Sequence, residues 1–518
     1  MVVLGRPGLG WPAVPLPDTP NALAAKLVTV PAVADDLGRR FAAAGHELHL
    51  VGGSVRDALL ARLPAAGRPG FPATTRRSGP DPAGDFDFAT DARPERVLEL
   101  VGGWAEATWT TGIRFGTVGV QKAGRRLEIT TYRADRYDRL TRHPEVEYGE
   151  SLEADLGRRD FAVNAMALSV PGHEFRDPYG GLRDLAEGRL RTPAAAEESF
   201  ADDPLRMLRA CRFVAQLGLT PDAAMVAAMT AMAAEITRIA VERVQVELSK
   251  VLLGGYPRQA LELFVGTGLA SQLLPELPAL RMEIDEHHQH KDVYAHTLTV
   301  LEQAIAAEPD GEPDLVLRMA ALLHDIGKPA TRRNEPGGRV SFHHHEVVGA
   351  KLVRRRLRAL GFPKDFVSDV AQLVFLHLRF HGYGRGEWTD SAVRRYVTDA
   401  GSLLGRLHLL VRSDCTTRDK RRAATLARSY DRLEERIDQL AEKEELDRIR
   451  PDLDGNEIMA LTGLPPGPLV GQAYRHLLAI RMERGPLPRD EVVAELRSWA
   501  RDRGITVSGP VEEDGPST

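Results

Sequence analysis

Two aspartates separated by a single phenylalanine, in the run Asp85-Phe86-Asp87-Phe88, carry the strongest chemical signal in this 518-residue chain. In a strand, side chains alternate between faces, so both carboxylates point one way while Phe86 and Phe88 anchor the other side in a core. Carboxylates about 7 Å apart, at a rise of about 3.3 Å per residue, suit a pair of divalent cations roughly 4 Å apart. Such a pair activates an attacking hydroxyl and holds a triphosphate. A lone Asp-x-Asp is more often two solvated loop carboxylates. The upstream segment shifts that balance, because Leu50-Val51-Gly52-Gly53-Ser54-Val55-Arg56-Asp57 reads as an apolar strand, a Gly-Gly turn and a helix start. Backbone N–H groups at such a helix N-terminus approach phosphate closely, with Gly53 leaving them unhindered and Arg56 facing the anion from the first turn.

These motifs, continuing through Arg158-Arg159-Asp160-Phe161 and Asp203-Pro204-Leu205-Arg206 to about residue 260, resemble the class II tRNA nucleotidyltransferase and poly(A) polymerase family of the polymerase-β-like superfamily. The resemblance implies an α+β fold: a polymerase-β-like nucleotidyltransferase head followed by a helical neck and body. It implies addition of C, C and A to the 3′ end of tRNA from CTP and ATP without a nucleic-acid template. Asp85 and Asp87 would hold Mg2+, and Gly53, Arg56, Arg159, Asp203, Arg206, Arg209 and Arg212 would surround the nucleotide. Relatives that add only A, only CC, or a poly(A) tail share nearly the same residues and remain the nearest rivals.

Asp203, Arg206, Arg209 and Arg212 recur every three residues, which sets them along one slightly drifting helix face. Spacing alone favours a solvated basic face. The chemistry of the bases reverses that preference. Cytosine and adenine each present an exocyclic amino donor beside a ring-nitrogen acceptor, a pattern that an accept-only carboxylate and a donate-only guanidinium read together. Uracil and guanine present a carbonyl and an N–H there, so Asp203 with Arg206 would admit C and A and reject U and G. Matching positions in the family form a protein template of this kind; Asp202 stands where the family usually has glutamate.

A second ligand set lies downstream. His296, the His324-Asp325 pair after an apolar helix, His345, His377 and Asp414 combine imidazoles with carboxylates, as first-row transition metals prefer. Their order resembles the all-helical HD phosphohydrolase superfamily. The resemblance assigns His296, His324, Asp325 and Asp414 to its core ligands and His345 and His377 to a second ion, with Mn2+, Co2+ or Ni2+ the suited metals. His287, His288, His290, His343, His344 and His381 have weaker claims.

The elements needed to position these groups divide the chain as follows: a leader over 1–28, the head over 29–190, and a neck and body with the nucleotide-recognition helix over 191–285. The HD domain covers 286–420, a helical C-terminal region 421–508, and a disordered tail 509–518. Within the head, Val33 to Ala44 and Thr90 to Leu100 read as helices, the latter with Asp91 as N-cap. Phe115–Val120 and Leu127–Tyr132 read as a hairpin through Ala123-Gly124; if these strands pair with that of the aspartates, Glu128 lies near them, either as a third acidic neighbour or as an ordinary strand carboxylate. Leu63 to Gly84 reads as an exposed insertion, Arg142-His143-Pro144 resembles the family's mobile loop, and Arg158 to Ala167 reads as a charged start followed by an apolar helix.

At 43% hydrophobic and 27% charged residues the composition is that of a soluble, multi-domain protein. A net charge of −5 argues against coating nucleic acid through overall charge, while leaving room for a local basic groove. Two distant cysteines, Cys211 and Cys415, imply no disulfide framework and fit a reducing cytoplasm. No run of about 18 apolar residues predicts a membrane span. The oligomeric state is not encoded in any of these features.

Overall fold

The computed structural model describes residues 20–62, 85–133, 149, 151–282, 292–309, 312–336, 340–382, 388–416, 419–444 and 449–505. The chain falls into two compact units, one on Met1–Ala279 with Asp310–Leu315 and Ala359–Phe362, the other on Leu280–Pro309, Val316–Arg358 and Pro363–Thr518. The fold class is α+β, as the sequence predicts.

The first unit is built on a seven-stranded sheet: β1 (Leu48–Val51), β2 (Phe86–Thr90), β3 (Ala107–Trp109), β4 (Thr117–Lys122), β5 (Arg125–Thr131), β6 (Ala167–Ser169) and β7 (Phe175–Arg176). Their order is β3-β4-β5-β2-β1-β6-β7, with β2 and β5 parallel. Phe86, Phe88, Val118, Val120, Leu127 and Ile129 are buried on one face. Period-two alternation therefore turns Asp87 and Glu128 to the opposite face. The hairpin between β4 and β5 turns at Ala123 and Gly124, with φ of 52° and 71°, the left-handed pair that a two-residue connection between twisted strands demands. Helices Leu205–Leu217, Val241–Leu252 and Pro257–Gly266 pack together behind the sheet's sequence, burying Leu208, Cys211, Phe213 and Val214.

Four expectations are corrected here. Pro20–Leu27 is a helix with Ala24 buried, so the leader does not extend to residue 28. The helix expected from Thr90 begins at Pro94, and Asp91 caps nothing: its carboxylate accepts the Glu47 N–H at 2.8 Å and lies 3.3 Å from His46. The run from Arg158 to Ala167 is a 3-10 turn (Ala162–Asn164) leading into β6 rather than a helix. Phe161, Ala162, Val163, Ala165 and Met166 are all buried, and a segment apolar on every side carries no period. Asp203 lies ahead of the recognition helix, at the C-terminal cap of Ala196–Asp202, because Pro204 separates the two helices. The insertion at 63–84, the loop at Arg142-His143-Pro144, the tail at 509–518, and His287, His288 and His290 lie outside the described residues.

Among the described residues the second unit is helical apart from a short ladder pairing Arg333–Asn334 with Val340–Ser341. Its C-terminal helices Gly455–Thr462, Pro468–Arg484 and Arg489–Arg501 close on Ile458, Leu477, Leu496 and Trp499. Arg394 ties the end of this group to the rest of the unit. It donates to the Glu444 carboxylate at 2.9 and 3.1 Å and to the carbonyls of Met482 and Glu483, with both charged side chains about 95% buried (4% and 5% exposed). Glu444→Leu strands a buried guanidinium, so it lowers stability by about 3–5 kcal/mol. Adding Arg394→Leu recovers most of that loss. Urea midpoints of the two variants check both statements; equal midpoints for parent and Glu444→Leu would show the pair to be dispensable.

Candidate active site and metal centre

A cleft of about 510 Å3 opens where the carboxylate face of the sheet meets the glycine turn and the recognition helix. Gly52 has φ +69°, and a Cβ there would lie 3.2 Å from Arg159 Nη1 and 3.7 Å from Asp87 Oδ2. The turn thus needs glycine twice over, for its left-handed backbone and for the approach of Arg159 to the aspartate. Gly53 begins the helix Gly53–Arg62, and Arg56 follows in its first turn. Asp85 sits just before β2 and Asp87 within it, both solvent-accessible. Parallel register places Glu128 directly opposite Asp87, making it the third acidic neighbour. Protein crowding first, then the Glu128 carboxylate, push the Asp87 carboxyl up to about 6, while Arg159 opposes them. The side chain is open to water on the cleft side, which moderates that push. Closely set carboxylates that resist their mutual charge are the donor set of a hard divalent cation.

Among the described residues eight arginines and four aspartates line the cleft, so its lining favours an anionic ligand. Buried carboxylates hold several of these arginines in place. Asp155 binds Arg159 at 3.0 Å, Asp160 accepts a forked pair from Arg209, and Glu247 lies 3.2 Å from Arg212 Nε. Burial alone would raise the Asp160 carboxyl. Arg209, with the Asn164 amide and the Phe161 N–H, instead holds it below the usual range. Arg56 donates to Asn164 at 2.6 Å and to Asp57, and its guanidinium lies 5.2 Å from the Phe213 ring centroid.

Asp203 and Arg206, expected to read a base together, do not bond to each other. Both residues line the cleft, but Asp203 Oδ2 accepts from Arg243 at 2.7 Å and its Oδ1 from the Leu205 N–H at 3.1 Å. Arg206 instead donates to Ser199 Oγ at 2.8 Å and to the Arg158 carbonyl at 2.6 Å. Pro204 causes the separation by keeping Asp203 out of the helix whose face was to align the two. Sequence reasoning missed Arg243, Glu247 and Asn164 as parts of this wall. The one signal available was the charged Glu242-Arg243 start of a helix.

In the second unit His296, His324 and Asp414 form one potential ion-binding group and Asp325, His345 and His377 another, each with its ligand atoms within 4.8 Å. All six sequence-predicted residues come together. Nδ1 of His324, His345 and His377 contacts the carbonyls of Ala321, Phe342 and Val374 at 2.8, 2.8 and 2.6 Å, and that of His296 contacts Thr416 Oγ1. A proton on Nδ1 leaves Nε2 as the ligand atom, and these outer contacts fix the ring orientation. His377 Nε2 is buried without a hydrogen-bond partner, the condition of an atom that fits a metal ion. Burial, then the neighbouring His324 and His345, push this imidazole down to about 3, so it is neutral. Burial opposes charge on His324 as well, but Asp325 and Asp414 outweigh it and raise that ring to about 9. Lys328, which the sequence reading passed over, reaches Asp325 Oδ2 at 2.9 Å. His343 and His344 are exposed and belong to neither group.

A parallel sheet pair carrying acidic residues, a glycine turn opening a helix, and a wall of fixed arginines define a nucleotidyl-transferring head. Family models agree with this reading: the Poly A polymerase head domain matches residues 48–191, the probable RNA and SrmB-binding site of polymerase A matches 218–280, and the HD domain matches 293–409. The A-adding tRNA nucleotidyltransferase of Deinococcus radiodurans is 36% identical over 70% of this chain and 82% of its own length. The CC-adding tRNA nucleotidyltransferase of Thermus thermophilus is 33% identical over 89% and 95%. On these alignments the chain belongs to the tRNA nucleotidyltransferase family. The CCA-adding enzyme of Anoxybacillus flavithermus is 38% identical over 46% of this chain, which spans about half (54%) of that relative. The fold is shared with the Bacillus stearothermophilus CCA-adding enzyme in complex with CTP, at a TM-score of 0.62 and 24% identity over 92% of this chain and 99% of that one. Among the described residues no helix is long and apolar enough to cross a membrane.

Proposed function

We propose that this protein adds C, C and A to the 3′ end of tRNA in the cytoplasm, selecting CTP and ATP without a nucleic-acid template. The observation that carries this reading is the register of Asp87 against Glu128 at one side of a cleft whose other side is arginine. Asp85 and Asp87 would hold Mg2+, which would supply charge stabilisation for the attacking and leaving oxygens of an in-line displacement. The chain's own groups do the rest. Backbone N–H groups at Gly53 and the helix behind it, with Arg56 and Arg159, receive the phosphates. Arg206, Arg209 and Arg212 border the nucleotide, the last two fixed by Asp160 and Glu247. Asp203 tests the base for an amino donor, with Arg243 rather than Arg206 as its partner in the structure. Incubating the protein with tRNAs ending before, within and after CCA, one nucleoside triphosphate at a time, and sequencing the 3′ ends tests the proposal. Addition confined to A, or to CC, would place the protein with its Deinococcus or Thermus relative instead; a long A tail would make it a poly(A) polymerase.

Asp203→Ala removes the acceptor that tests for an amino group. UTP misincorporation relative to CTP rises by about tenfold or more while the overall rate falls. Parallel single-nucleotide incorporation assays measure the ratio, and undiminished rejection of UTP at a reduced rate would remove Asp203 from selection.

The two ligand groups in the HD domain and the partnerless His377 Nε2 favour a second activity, a metal-dependent phosphohydrolase. Mn2+, Co2+ or Ni2+ suits this donor set. A phosphate or 2′,3′-cyclic phosphate on a damaged RNA end is the proposed target, since its removal restores the hydroxyl that the head extends.

A further inference from the structure

The sheet face that carries the aspartates does not stop at Glu128. Strand registers set Asp87 opposite Glu128, Glu128 opposite Gly119, and Gly119 opposite Trp109, a single row across β2, β5, β4 and β3 on one face. Gly119 is what lets the row close: a Cβ there would lie 1.9 Å from Trp109 Cε2 and Nε1, so the indole rests where a side chain would stand. The exposed Arg126, two residues before Glu128 and hence on the same face, places its guanidinium 4.8 Å from the indole centroid. The result is a flat, stacked, cationic ledge at the side of the carboxylates opposite the glycine turn, because β1 flanks β2 on one side and β5, β4 and β3 follow on the other.

We propose that the Trp109–Arg126 ledge binds the single-stranded 3′ end of the RNA acceptor, stacking one of its last bases and pairing with its phosphate. The inference rests on the nucleotidyl-transfer reading of the head given above. In-line displacement requires the attacking hydroxyl on the side of the α-phosphate away from the leaving pyrophosphate. With the phosphates at the glycine turn and arginine wall, the acceptor arrives over β5 and β4. Strands spaced about 4.8 Å apart put the indole, leaning over Gly119, roughly 10 Å from β2. That is about three stacked bases at a rise of ~3.4 Å, so a base on the ledge is a near neighbour of the reacting end. Single-stranded RNA is bound elsewhere by this combination, bases on aromatic rings and guanidinium planes with charge along the backbone. The competing account is that Trp109, on the edge strand β3, only covers the glycine of β4.

Steady-state addition of C to a tRNA transcript ending at the nucleotide before CCA separates the two. Trp109→Leu is expected to raise the KM for the transcript about tenfold, with the KM for CTP within twofold of the parent and the melting temperature unchanged. Trp109→Phe recovers most of the transcript affinity. Arg126→Gln also raises the transcript KM and reduces the slope of log KM against log salt by about one. Should Trp109→Leu fail to fold, the exposed Arg126→Gln carries the test. A transcript KM unchanged in both variants, or KM values for RNA and CTP that rise together, overturns the proposal. A parent protein that extends no transcript overturns the tRNA reading on which it rests, and the ledge with it.

Discussion

Asp85→Ala and Asp87→Ala each reduce CTP incorporation into tRNA by about a thousandfold or more while leaving the melting temperature near that of the parent. Both side chains are solvent-accessible and their strand is anchored from the other face by Phe86 and Phe88, which are 4% and 1% exposed. Truncation therefore removes charge from the cleft and leaves the core packing intact. The loss falls on the transition state, because Asp85 and Asp87 would together hold the divalent cations that would neutralise the attacking and leaving oxygens, and either carboxylate missing would weaken both functions. Single-turnover assays with saturating CTP and Mg2+, beside thermal melts, read both quantities. Transfer at the parental rate by either variant defeats the assignment of these aspartates.

The double variant His324→Ala with Asp325→Ala eliminates hydrolysis of phosphate or 2′,3′-cyclic phosphate from RNA ends and leaves CTP addition intact. His324 belongs to one ligand group and Asp325 to the other, so the pair of changes reaches both. Head and HD ligands fall in different compact units, which is why nucleotide addition survives. Metal content after reconstitution with Mn2+, Co2+ or Ni2+ gives a readout independent of activity: the parent retains metal and the double variant does not. Equal hydrolysis by the two proteins, or no metal retained by the parent, defeats the phosphohydrolase reading.

What was legible in the sequence follows the range over which its signals act. Alternation in Asp85-Phe86-Asp87-Phe88 fixed a buried and an accessible face because a strand's period is local. The tight turn at Ala123-Gly124 sets the β4–β5 pairing and is legible locally, whereas the pairing of β5 with β2, which brings Glu128 to the aspartates, is a tertiary fact. The HD ligands were legible as a set, but their division into two groups depends on helices more than a hundred residues apart in sequence, as for His296 and Asp414. Two failures have the same cause. Asp160 to Ala167 is buried all round and offers no period to read, and Arg243 meets Asp203 across 40 residues with nothing local to announce it.

The Asp203–Arg243 ion pair changes what it means for this cleft to choose a base. With both Asp203 oxygens already accepting from the protein, an entering nucleotide is weighed against a resident cation rather than against bulk water. On the selection proposed for Asp203, cytosine and adenine would bring an amino donor that compensates for loosening that cation, whereas uracil would set a carbonyl against the carboxylate. Discrimination by Asp203 would then depend on how firmly Arg243 holds on, and the selectivity of the pocket would be adjustable from a residue that need never touch the base.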